Sequence, residues 1–109
     1  MKRVVATPLG GGKTVEAPAS AAALVRAMDF GDGLDPSRRA RGVLVDAAWC
    51  YFSLLYAGEL PGMGLPQLPA RGELQASEVE DAVMGMLERY EARTEDDEPA
   101  EGGGEGPTR

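Results

Sequence analysis

Val43–Ala57 reads VLVDAAWCYFSLLYA, and thirteen of these fifteen residues are apolar or aromatic, with only Asp46 and Ser53 interrupting them. A helix that is hydrophobic on every side has to be buried, in a protein interior or in a bilayer. Fifteen residues cover roughly 22 Å at the α-helical rise, short of the ~30 Å hydrocarbon layer of a membrane. Asp46 inside the run and Arg38, Arg39 and Arg41 just before it also count against a membrane. The stretch therefore reads as the central helix of a small soluble core.

Working back from the run, Asp35-Pro36 is an N-cap followed by proline at the first helical position, so the helix is expected over Pro36–Ala57 with Gly58 as its stop. Gly42 costs roughly 1 kcal/mol against alanine there and leaves room for another element to approach. Asp46 must face outward or pair with an arginine such as Arg26, because an unpaired buried carboxylate costs several kcal/mol. Cys50 reads as a small buried hydrophobe. A lone cysteine makes neither an internal disulfide nor a zinc site.

Four of the six aromatic residues, Trp49, Tyr51, Phe52 and Tyr56, lie in this one helix. Core packing accounts for them. The other reading is that part of the helix circumference is a partner surface, since two short helices and a hairpin are few elements to cover it. The candidate partner-binding residues are then Trp49, Tyr51, Phe52, Leu55 and Tyr56, joined by Met63, Leu65 and Leu68 of the segment that follows.

That segment, residues 58–76, holds four glycines and three prolines and is expected to be an irregular connector, either functional or mobile. Its Pro66-Gln67-Leu68-Pro69-Ala70-Arg71 fits a short proline-rich ligand pattern that also arises readily in any proline-rich loop. Beyond it, Ser77-Glu78-Val79-Glu80 reads as a capping box. Val79, Ala82, Val83, Met86, Leu87 and Tyr90 then form one apolar stripe, giving a helix over Ser77–Arg93.

At the other end, Lys2–Thr7 and Lys13–Ala17 are β-prone and flank the turn-forming Pro8–Gly12, which predicts a hairpin arm over residues 1–17. Gly10-Gly11-Gly12-Lys13-Thr14 invites a phosphate-loop reading, but the first glycine of that motif would stand where Thr7 is, and no helix opens directly after Thr14. A helix over Ala19–Phe30 follows. Ala21, Leu24, Val25 and Met28 fall at the spacing of one buried face, and Gly31 and Gly33 end it.

The expected fold class is mainly α: a three-helix small domain over residues 1–94 with a short N-terminal β-hairpin and a disordered acidic C-terminal tail over 95–109. The tail holds six acids against one base, which leaves the first 94 residues nearly neutral at net −2 out of the chain's −7. A basic nucleic-acid surface is not expected on such a body. The chain has no histidine, and no paired nucleophile or metal-ligand spacing appears. The reading is therefore non-enzymatic, without cofactor, metal or catalytic residues. It points to an adaptor or assembly chaperone whose partner is another protein, with no nucleic acid, no membrane and a homo-oligomer as one outcome. The alternative is an acidic inhibitor or nucleic-acid-mimicking decoy. Met1–Pro8 lacks the apolar stretch of a secretory signal, so a cytoplasmic location is expected.

In order and size the chain resembles the small tail assembly chaperones of long-tailed bacteriophages. The likeness lies in the short N-terminal β segment, the helix at Ala19–Phe30, the hydrophobic helix at Val43–Tyr56, the helix at Ser77–Arg93 and the polar end. The resemblance implies a protein that coats a hydrophobic tape-measure helix during phage tail assembly, in the cytoplasm of a bacterial host.

Overall fold

Lys2–Pro8 forms strand β1, and Val15–Pro18 forms β2, joined by a turn in which Gly11 and Gly12 take the positive φ angles of 89° and 131° that a side chain would resist. The expected hairpin is present, paired antiparallel from Arg3 opposite Pro18 to Ala6 opposite Val15. A computed structural model describes residues 2–96. The remaining elements are α1 (Ala21–Asp32), α2 (Arg41–Tyr56), α3 (Leu60–Met63), α4 (Ala76–Leu87) and strand β3 (Tyr90–Asp96).

The expectation of a mainly α three-helix domain is overturned. The described residues form an α+β fold with four helices and a three-stranded antiparallel sheet in the order β2-β1-β3. The third helix stops at Leu87, not Arg93, and Tyr90–Asp96 pairs along the whole of β1, from Lys2 opposite Asp96 to Pro8 opposite Tyr90. The physical reason is a free sheet edge. Glu91, Ala92 and Arg93 have ordinary helix propensity, yet the outer ladder of β1 and the alternation of Tyr90, Ala92 and Thr94 with Glu91, Arg93 and Glu95 outweigh it. The boundary expected after residue 94 therefore cuts through β3. Of the acidic tail expected to be disordered, Glu95 and Asp96 belong to the sheet, and 97–109 lie outside the described residues.

The sheet has a wet and a dry face. Val4, Ala6 and Ala17 are buried against the helices, with Tyr90 and Ala92 beside them. On the outer face Arg3 reaches across all three strands, to Glu16 of β2 at 2.7 Å and Glu95 of β3 at 3.2 Å, while Arg93 meets Glu95 at 2.7 Å. Val5 is buried beneath these side chains.

Against the dry face lies α2, whose Leu44, Ala47, Ala48 and every residue from Cys50 to Leu55 are buried. It is the central helix expected from the run, though it starts later. Asp35 does cap a backbone N–H, that of Ser37 at 2.9 Å, and takes the Ser37 hydroxyl at 2.7 Å; both bonds hold its carboxyl below the usual range. The capping chemistry serves an isolated turn instead of the helix, because Ala40 adopts a left-handed conformation (φ 60°) and helical geometry begins only at Arg41.

α1 buries Ala23, Ala27, Phe30 and Gly31, not the expected stripe of Ala21, Leu24, Val25 and Met28. The close approach is made at Gly31, where a Cβ would stand 2.7 Å from Val45 Cγ2; Gly42, expected to allow it, has open space around it. Arg41 closes the same corner by donating from Nε and Nη2 to the Gly31 carbonyl at 3.1 and 2.8 Å. At the other end, Ser20 caps α1 by accepting from Ala23 N–H, Trp49 Nε1 donates to the Ser20 carbonyl at 3.0 Å, and Ser20 N–H donates to buried Ser53. The capping box of α4 is set two residues earlier than expected, with Gln75 N–H donating to Glu78 at 2.8 Å. This frees Glu80 for a bidentate pair with Arg38 at 2.9 and 2.6 Å.

Candidate functional site

The segment over 58–76 is irregular over 65–75, as expected, but it is anchored to the body along its length. It opens with the short helix α3, and Leu60, Met63 and Leu65 are buried in the main core. The rest is held by three side chains. The Tyr51 hydroxyl donates to the Pro66 carbonyl at 2.9 Å and accepts from Leu68 N–H at 2.9 Å. The Tyr56 hydroxyl donates to the Ala70 carbonyl at 3.3 Å. Arg26, lying 4.9 Å from the centre of the Phe52 ring, donates to the Pro69 and Gly72 carbonyls at 2.9 Å each. The proline-rich stretch Pro66–Arg71 is thus tied to the body through its backbone, while its side chains stay exposed apart from half-buried Leu68.

This arrangement relocates the residues expected to bind a partner. Tyr51, Phe52, Leu55, Met63 and Leu65 are buried, Trp49 and Leu68 are half-buried, and Tyr56 alone of the eight counts as exposed. The aromatic residues of α2 serve as core and as brackets for the connector. Asp46 faces outward, and Arg26, named as its partner, is engaged with the connector instead.

Bracing the connector leaves a cavity of about 360 Å³ between it, α1 and the start of α4. Phe30, Phe52 and Val79 supply apolar lining, and Arg26, Asp29 and Glu73 supply charge. No titratable pair in it is arranged as nucleophile and base. Cys50 lies elsewhere, inside α2; burial, with Asp46 adding to it, pushes its thiol up to about 12. It stays protonated near neutrality and is a poor nucleophile or metal ligand. Among the described residues, no group of three or more Cys, Asp or Glu side chains is placed to hold a metal ion, and no helix is long and apolar enough to cross a membrane.

The apolar surface that sequence reasoning assigned to the core is on α1. Val25 is 59% exposed and Met28 56%, with Ala21 and Ala22 also exposed and Leu24 half-buried. Val25 stands one turn before Asp29, so this stripe runs beside the cavity wall. The signal that could have found it is the competing row Ala23, Ala27, Phe30 and Gly31. Small residues at helical spacing let two helices approach closely, and the larger ones are then left facing out. The chain matches no protein-family model, no curated protein and no solved structure.

Proposed function

We propose that the protein is a non-enzymatic adaptor that binds another protein, holding an apolar helix of that partner along the exposed face of α1. The observation that carries this reading is the pair Val25 and Met28, both more than half exposed on a helix that already buries its opposite side. A helical partner with apolar residues at matching spacing docks on such a surface by removing it from water. Replacing both with aspartate leaves the fold intact, because exposed positions contribute within about 0.5 kcal/mol, and abolishes capture of the partner from the native host. A double variant that captures the same partner as the parent chain counts against the reading.

The finer form of this proposal is a phage tail assembly chaperone, with a tape-measure-like hydrophobic helix as the partner. Its support is the chain order of hairpin, α1, α2 and α4. The decoy alternative is not favoured: Glu16, Glu80 and Glu95 are each held by an arginine, and acids neutralised in this way do not form a rigid anionic array.

A further inference from the structure

The two edges of the sheet are built differently. Leu9 N–H donates to the Arg89 carbonyl at 3.0 Å, and Ala19 N–H donates to the Lys2 carbonyl at 3.1 Å. Alternation in an antiparallel ladder then fixes which groups face inward and which face outward. On β2 the outward positions are Glu16 and Pro18, so this short edge lacks one N–H altogether, a common protection of an edge strand. On β3 the outward positions are Tyr90, Ala92, Thr94 and Asp96, along a seven-residue strand. Among the described residues nothing pairs with the outward N–H and C=O groups of Tyr90, Ala92 and Thr94.

We infer that this edge pairs with the same edge of a second copy of the chain, giving a continuous six-stranded sheet about a two-fold axis at Ala92. The charge pattern selects both the occupant and the register. With the axis at Ala92, Ala92 faces Ala92 of the partner subunit, Thr94 faces the partner's Tyr90, and Arg93 lies directly opposite the partner's Glu91, twice by symmetry. Opposite charges on facing positions stabilise an antiparallel pair, and like charges weaken it. An axis at Arg93 would set arginine against arginine and Glu91 against the partner's Glu95. An axis at Thr94 would call on Glu95, which Arg3 and Arg93 already engage at 3.2 and 2.7 Å. Arg93 is held by Glu95 of its own strand whichever register is taken, so the choice falls on the acid. Glu91 is the free one, exposed and touching Arg93 of its own strand only at 3.8 Å.

The test is the molar mass of the full chain by sedimentation from low micromolar to near millimolar concentration, combined with amide hydrogen exchange. Ala92 and Thr94 amides are expected to become protected as the mass doubles, while Arg93, whose N–H faces β1, is protected throughout. Ala92→Pro removes only an outward N–H and weakens the dimer about tenfold or more. Glu91→Arg and Arg93→Glu each weaken self-association, by setting arginine against arginine or glutamate against glutamate. An equimolar mixture of the two restores a heterodimer in which both facing pairs are opposite in charge. Circular dichroism confirms that each variant is folded. A chain that stays monomeric throughout, or a dimer that is indifferent to Glu91→Arg, overturns the inference.

Discussion

Tyr51 holds the connector by a single oxygen atom, which donates to the Pro66 carbonyl and accepts from Leu68 N–H. Tyr51→Phe preserves the ring, which sits edge-on to Phe52 with centroids 5.4 Å apart, but leaves a carbonyl and an N–H unsatisfied. The expected loss is about 1–3 kcal/mol in chemical denaturation. The same hydroxyl carries a pH dependence. Burial raises its pKa above the ordinary 10.0, with the bond from Leu68 pulling the other way. The folded state therefore holds this proton more tightly than the unfolded chain. The contribution is complete below about pH 10, and it declines as pH rises toward and through the raised folded value. The stability gap between the parent chain and Tyr51→Phe is expected to narrow above pH 10, measured by urea midpoints across that range.

At the scale of elements, two glycines separate packing from propensity. Gly31→Ala drives a methyl group to 2.7 Å from Val45 and is expected to destabilise by about 1–3 kcal/mol through overpacking. Gly42→Ala meets nothing within 4 Å in the first turn of α2 and is expected to stabilise by roughly 1 kcal/mol; thermal unfolding of the two variants side by side reads the opposite signs. The same elements show how much could be read beforehand. α2 was legible because thirteen apolar residues among the fifteen of Val43–Ala57 permit only a buried helix. The hairpin was legible because its glycines mark a turn, and the apolar face of α4 because Val79, Val83 and Met86 repeat at helical spacing. The face of α1 was not, since two rows compete for the core and the choice depends on how closely α2 can approach at Gly31. The start of α2 was misplaced because Asp35 caps equally well with no helix behind it. β3 was hidden because its residues suit a helix until β1 offers an edge. Of the candidate site, the sequence marked Tyr51 and Tyr56 as special but not their task, which depends on carbonyls of a loop whose path no local rule predicts. The cavity residues Asp29 and Glu73 carried no signal at all.

For the molecule as a whole, β3 is the piece on which sheet and helices jointly depend. Val4 and Ala6 are fully buried in a strand that bonds on both sides. A chain ending after Asp96 is expected to keep cooperative thermal unfolding by circular dichroism, and a chain ending after Arg89 to lose it, because the ladder to β1 and the cover from Tyr90 and Ala92 are both removed. The Arg3–Glu95 pair spans 92 positions of sequence, so the middle strand of the sheet receives one of its two neighbours only after almost everything between has been made. At synthesis speeds of roughly 5–20 residues per second, β1 leaves the ribosome and waits about 5–20 seconds with one flank bare. For that interval the nascent polypeptide presents a Val-Val-Ala edge that the finished molecule keeps in the middle of its sheet. The timing of translation thus decides how long this protein is sticky.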